Sequence, residues 1–98
     1  MVETLIVTIT KEHADRAFAA KATAGYEMIQ DCLLGQALEQ YPRHKLNIGV
    51  ESAIIDGKRY EVPSSGVRLI TAFCAEPPAA TYAMLPMTLE LTRSEYRW

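Results

Sequence analysis

The stretch 26–41, YEMIQDCLLGQALEQY, constrains the fold more than any other part of the chain. Its apolar residues Tyr26, Ile29, Leu33, Leu34, Ala37, Leu38 and Tyr41 fall at helical spacing, and Glu27, Gln30, Asp31, Gln36, Glu39 and Gln40 fill the other side. One apolar stripe calls for one covering surface. The runs that can supply it are short, alternating and β-like, which predicts a helix packed on a sheet. Ninety-eight residues suffice for a single core, so a single α+β domain over 1–98 is expected, with 93–98 as a tail.

Residues 3–10 alternate, with Leu5, Val7 and Ile9 on one face and Thr4, Ile6, Thr8 and Thr10 on the other, as in a half-buried strand. Thr10 then stands as an N-cap before the alanine-rich helical run KEHADRAFAAKATAG, which Gly25 ends or bends. The next helix starts near Tyr26, or else Asp31 caps a shorter one; two helical pieces are expected, and Pro42 stops the run. From Leu46 to Ile55 the chain reads as one strand, turning at Asp56-Gly57 into a return strand 58–62. Ser64 or Ser65 caps a helix reaching about Ala75, with Val67, Ile70, Phe73 and Cys74 as its buried stripe. Pro77-Pro78 breaks it, a loop runs to Ala83, and Met87, Leu89 and Leu91 mark a last strand. Pro86 suggests that this strand lies at a sheet edge.

That order predicts a two-layer, ferredoxin-like βαββαβ sandwich, a four-stranded antiparallel sheet with both helices on one face. The open face carries Thr4, Thr8, Glu51, Arg59, Glu61, Thr88 and Glu90. An alternative is a three-stranded sheet whose first strand packs elsewhere or is exchanged between subunits.

The chemistry is sparse. Ten basic against twelve acidic residues leave a net charge of -2, which gives no general attraction to nucleic acid or to an anionic membrane. No apolar run reaches membrane length, and two cysteines without C-x-x-C spacing suit a reducing cytoplasm. Cys32 lies near a helix start, where a thiolate is favoured, yet on an apolar stripe it reads first as a core side chain. His13 and His44 read as surface residues without a second metal ligand. Glu12 and Asp15 read as helix-start acids, and Glu51 and Glu61 as solvated strand positions. No Gly-rich phosphate loop or G-x-S-x-G is present, so neither catalytic residues, metal nor cofactor are expected.

In the four-stranded topology one constellation would gather at a single end: Arg43, His44 and Lys45; Ser64, Ser65, Gly66 and Arg68; and Arg93 and Arg97. A helix N-terminus beside guanidinium groups can hold a phosphate or a partner's carboxylates. Tyr96 and Trp98 add aromatic area suited to an interface.

The run Asp31-Cys32-Leu33-Leu34-Gly35-Gln36-Ala37-Leu38 is followed by a proline, a strand, the turn Gly57-Lys58-Arg59-Tyr60 ending in Pro63, and a helix closing on Ala72-Phe73. This succession resembles a group of small phage and prophage proteins, although Leu33 stands where that group often has proline. The resemblance implies a phage-encoded accessory protein without enzymatic activity, which inhibits a host defence factor by contact in the host cytoplasm and as a homo-oligomer. An alternative is a protein that sequesters an anionic, phosphate-bearing small molecule. A second alternative is a minor structural protein of the phage particle.

Overall fold

The computed structural model describes residues 3–94; the interface expected at Tyr96 and Trp98, Arg97, and most of the expected tail lie outside the described residues. Strand β1 (Thr4–Ile9) leads into helix α1 (Lys11–Lys21). The short helices α2 (Met28–Asp31) and α3 (Leu33–Ala37) follow, and then a 3-10 turn at Arg43–Lys45. Strands β2 (Leu46–Ile48), β3 (Ser52–Ile55) and β4 (Lys58–Glu61) run back and forth. Helices α4 (Ser64–Ala75) and α5 (Pro78–Ala83) lead to β5 (Met87–Arg93).

The class is α+β, but the four-stranded ferredoxin-like sandwich is not the fold. One five-stranded sheet has the order β1-β5-β4-β3-β2, and every neighbouring pair is antiparallel. The fifth strand comes from the run read as one strand. Leu46 and Ile48 are buried at even positions, whereas Ala53 and Ile55 are buried at odd ones. A strand alternates with a period of two, so one regular strand cannot bury both sets, and the chain turns between them. It does so over Gly49, whose N–H donates to the Ser52 carbonyl at 2.9 Å.

The last strand also differs from expectation. β5 lies between β1 and β4 rather than at an edge, with Leu5 opposite Leu91, Val7 opposite Leu89 and Ile9 opposite Met87. Pro86 precedes the strand, so its missing N–H removes nothing from the ladder. The open edges belong to β1 and β2.

The stretch 26–41 forms two helices, broken where Cys32 takes extended backbone (φ -68°, ψ 179°). α3 begins there, with Cys32 as its N-cap and no side-chain hydrogen bond to it. The expected single stripe is replaced by burial all round: every residue from Asp31 to Leu38 is buried, the polar Asp31 and Gln36 included. The reason is the curl of the sheet, because α3 packs against both edge strands, β1 and β2, as well as against α1 and α4. Leu33, Leu34 and Leu38 thereby meet Val7, Ile9, Ile48, Leu89, Leu91 and Phe73 in one core. Burying each such side chain stabilises by roughly 1.5–3 kcal/mol.

Local signals elsewhere hold in part. Asp56 and Gly57 both take positive φ, 51° and 78°, as a tight primed turn demands. Thr10 caps α1, but His13 is a correction, since it is buried instead of solvated. It sits at N3 of a capping box in which the Thr10 N–H donates to its Nδ1 at 3.0 Å. α4 begins at Ser64 with Pro63 as N-cap, so neither serine caps it; Leu69, Ile70, Ala72 and Phe73 are buried while Cys74 is exposed. The expected loop after Pro77 contains α5, started by Pro78 in the first turn, where a ring without N–H costs nothing.

Candidate functional site

The added reversal of the chain decides where the charged residues fall. β2 starts beside the Asp56–Gly57 turn, because the Asp56 N–H donates to the Lys45 carbonyl at 2.9 Å. β3 returns to that turn, and β4 leaves it again. Helix α4 therefore begins at the opposite end of the sheet from Arg43, His44 and Lys45. Arg93 ends β5 opposite Tyr60, on the turn side, while Met87 at the start of β5 meets the start of α4. The residues expected at one end divide into two groups.

At the turn end the cations are paired. Arg93 Nη1 is 2.8 Å from Glu3 Oε2, Lys58 is 3.9 Å from Glu3 Oε1, and Lys45 is 3.9 Å from Asp56. The Arg93 guanidinium, with Lys58 nearby, holds the Glu3 carboxyl below its ordinary value. Arg43 pairs with Asp31, and His44 is exposed on the 3-10 turn. Arg43 also lines a depression of about 370 Å³ with Arg16, Gly35, Gln36, Glu39, Tyr41 and Pro42. Its charges are compensated from within: Arg16 is 3.3 Å from Glu39, and His13 Nε2 is 3.6 Å from the same carboxylate. Asp31 Oδ2 accepts from the Glu27 N–H at 3.1 Å, and Gln36 Nε2 donates to the Asp31 carbonyl at 3.2 Å. Gly35 is obligatory here, because a Cβ would collide with the Gln30 carbonyl oxygen. The arrangement joins α1, α2, α3 and the 3-10 turn.

A second depression, about 610 Å³, is lined by Ser64, Ser65, Arg68, Met84 and Met87. The first turn of α4, the end of α5 and the start of β5 build it. Gly66 lets α4 lie this close to the sheet, since a Cβ would fall 2.7 Å from Val62 Cγ1 and 3.0 Å from Leu89 Cδ1. The first intrahelical bond is Val67 N–H to the Pro63 carbonyl at 3.0 Å, and no side chain caps the N–H groups before it. Among the described residues Arg68 lies within ion-pair distance of no carboxylate, whereas Arg16, Arg43, Arg59 and Arg93 each do. The first turn thus presents backbone donors, two hydroxyls and an uncompensated guanidinium beside two thioethers.

The sequence pointed to Ser64, Ser65 and Arg68 but not to Met84, which no periodic pattern singles out, and it placed Met87 only on the last strand. Nor did it point to the carboxylates, Asp31 and Glu39, that neutralise Arg43 and Arg16. Cys32 is 1% exposed, and burial raises its thiol above the ordinary value, the reverse of nucleophile activation. Among the described residues no cluster of three or more His, Cys, Asp or Glu could hold a metal, and no helix is long and apolar enough to cross a membrane. Comparison of the chain with family models, curated proteins and solved structures found no match.

Proposed function

We propose that the chain is a non-enzymatic binding protein that takes a phosphate-bearing small molecule in the depression at the start of α4. The observation that carries this reading is Arg68, which among the described residues has no carboxylate partner and stands beside an uncapped helix N-terminus. An anion there meets backbone donors, the positive end of the helix dipole and a bidentate guanidinium. Met84 and Met87 offer a polarisable apolar wall to a ring or base attached to the phosphate. A volume of about 610 Å³ lies in the range that holds such ligands. Calorimetric titration with inorganic phosphate and then with mono- and dinucleotides tests the reading. Saturable binding that Arg68→Gln weakens by about tenfold or more, the worth of one charge-assisted hydrogen bond, supports it. Absence of binding across that panel refutes it.

A second reading follows from the resemblance to phage accessory proteins: inhibition of a host defence factor by contact, in the host cytoplasm. Met28 and Ile29 favour it, lying side by side on α2 at 44% and 40% exposure. Recovery of a stoichiometric host protein by the native chain, lost on joint replacement of both residues by Ser, would put this reading first.

A further inference from the structure

β1 is an open sheet edge without the usual defences. Among the described residues it has β5 on one side and no strand on the other, and from Thr4 to Ile9 it contains no proline and no charge. The opposite edge, β2, is three residues long and follows a turn carrying Arg43, His44 and Lys45. Arg93 N–H donates to the Glu3 carbonyl at 2.7 Å, so odd-numbered residues of β1 bond to β5. Thr4, Ile6 and Thr8 therefore turn their N–H and C=O groups to the free side.

We infer that this edge pairs with β1 of a second copy of the chain, antiparallel and centred on Ile6, to form a two-fold dimer with a continuous sheet. The segment Thr4-Leu5-Ile6-Val7-Thr8 has the same residue classes read in either direction, as a self-complementary interface requires. Centred on Ile6, Thr4 faces the partner's Thr8, Leu5 faces the partner's Val7, and Ile6 faces the partner's Ile6. Thr4, Ile6 and Thr8 each give and take one backbone bond. Ile6, 56% exposed and the most exposed large hydrophobic residue among those described, gains cover on the outer face. Leu5, only half-buried, gains cover on the core side.

The flanking charges agree. Glu3 stands before the strand and Lys11 opens α1 just after it, so antiparallel pairing brings the acidic end of one strand to the basic end of the other. A register centred on Val7 would need the Thr10 N–H, which His13 Nδ1 already accepts. One strand pair buries less than the roughly 1,000 Å² of a stable interface, so the dimer is concentration-dependent.

Sedimentation equilibrium over roughly 5–500 µM tests this, the range in which interfaces of this size dissociate. The average mass is expected to rise from 10.9 kDa towards twice that value. Ile6→Asp, which sets two like charges opposite each other at the axis, keeps the chain monomeric with an unchanged circular dichroism spectrum. Crosslinking reads the register independently of that variant. In a Cys74→Ser background, oxidation links Ile6→Cys into dimers, whereas Thr4→Cys, held away from its own copy, is not linked. A monomer throughout the range, unchanged association in Ile6→Asp, or equal crosslinking by the two cysteine variants overturns the inference.

Discussion

The two depressions contain the same kind of residue put to opposite uses. Around Arg43 and Arg16, Asp31 and Glu39 stand within ion-pair distance, and Gly35 and Gln36 lock the helices behind them. Around Arg68 stand two hydroxyls, two thioethers and a helix N-terminus without a cap. A guanidinium with its own carboxylate holds the fold together, and a ligand would have to displace that partner. A guanidinium without one is available. Position in a basic cluster of the sequence therefore says little about binding until the placement of the acids is known.

Substitutions and titrations can break this contrast. The largest effect is expected from Gly35→Ala, which drives a methyl group into the Gln30 carbonyl and should cost about 3 kcal/mol in urea unfolding. A loss below about 0.5 kcal/mol would show that the Arg43 depression is not a structural joint. Asp31→Ala removes the partner of Arg43 and the acceptor of the Glu27 N–H, with an expected loss of about 1–2 kcal/mol. Unchanged stability in that variant would remove the distinction between the two arginines.

Alkaline titration gives a smaller effect, to which the joint contributes through two groups. Burial raises the Cys32 thiol above its ordinary 9.0 and pushes the Tyr26 hydroxyl up to about 12. Raised values mean stability that is whole below the ordinary values and lost as pH climbs through the raised ones. The unfolding midpoint should fall as pH rises above about 9, and Cys32→Ala should flatten the early part of that fall. A midpoint insensitive to pH there would contradict the burial of this joint. The exposed Cys74 should react with a thiol reagent in the native state and Cys32 only after denaturation. The smallest stability effect belongs to Arg68→Gln, expected within about 0.5 kcal/mol of the native chain because among the described residues no group is paired with that side chain.

Much of this fold was legible because its signals are local. Thr10 caps a helix, Asp56-Gly57 turns a hairpin, and Leu5, Val7 and Ile9 alternate along a strand, each decided by a few neighbouring bonds. The fifth strand was also written in the chain, in the shift of buried positions from Leu46 and Ile48 to Ala53 and Ile55, but a continuous apolar run hides the phase. Missing that turn reversed the direction of everything after it. Ser64 and Arg68 were thereby expected beside Arg43, although they lie across the sheet. Burial of Asp31 and Gln36 was not legible, because periodicity reports one face of a helix and cannot report a sheet that curls around it. Nor was the meeting of Met84 and Met87 with α4 legible, since the end of a short helix started by Pro78 and the start of β5 come to α4 through tertiary packing alone.

Anion binding at the start of α4 and not at Arg43 is tested most directly by amide chemical shifts followed during titration with inorganic phosphate and a nucleotide. Shifts that saturate and centre on Ser64, Ser65, Gly66 and Arg68 are the predicted result. Shifts centred on residues 31–43, or none at any ligand concentration, would contradict it.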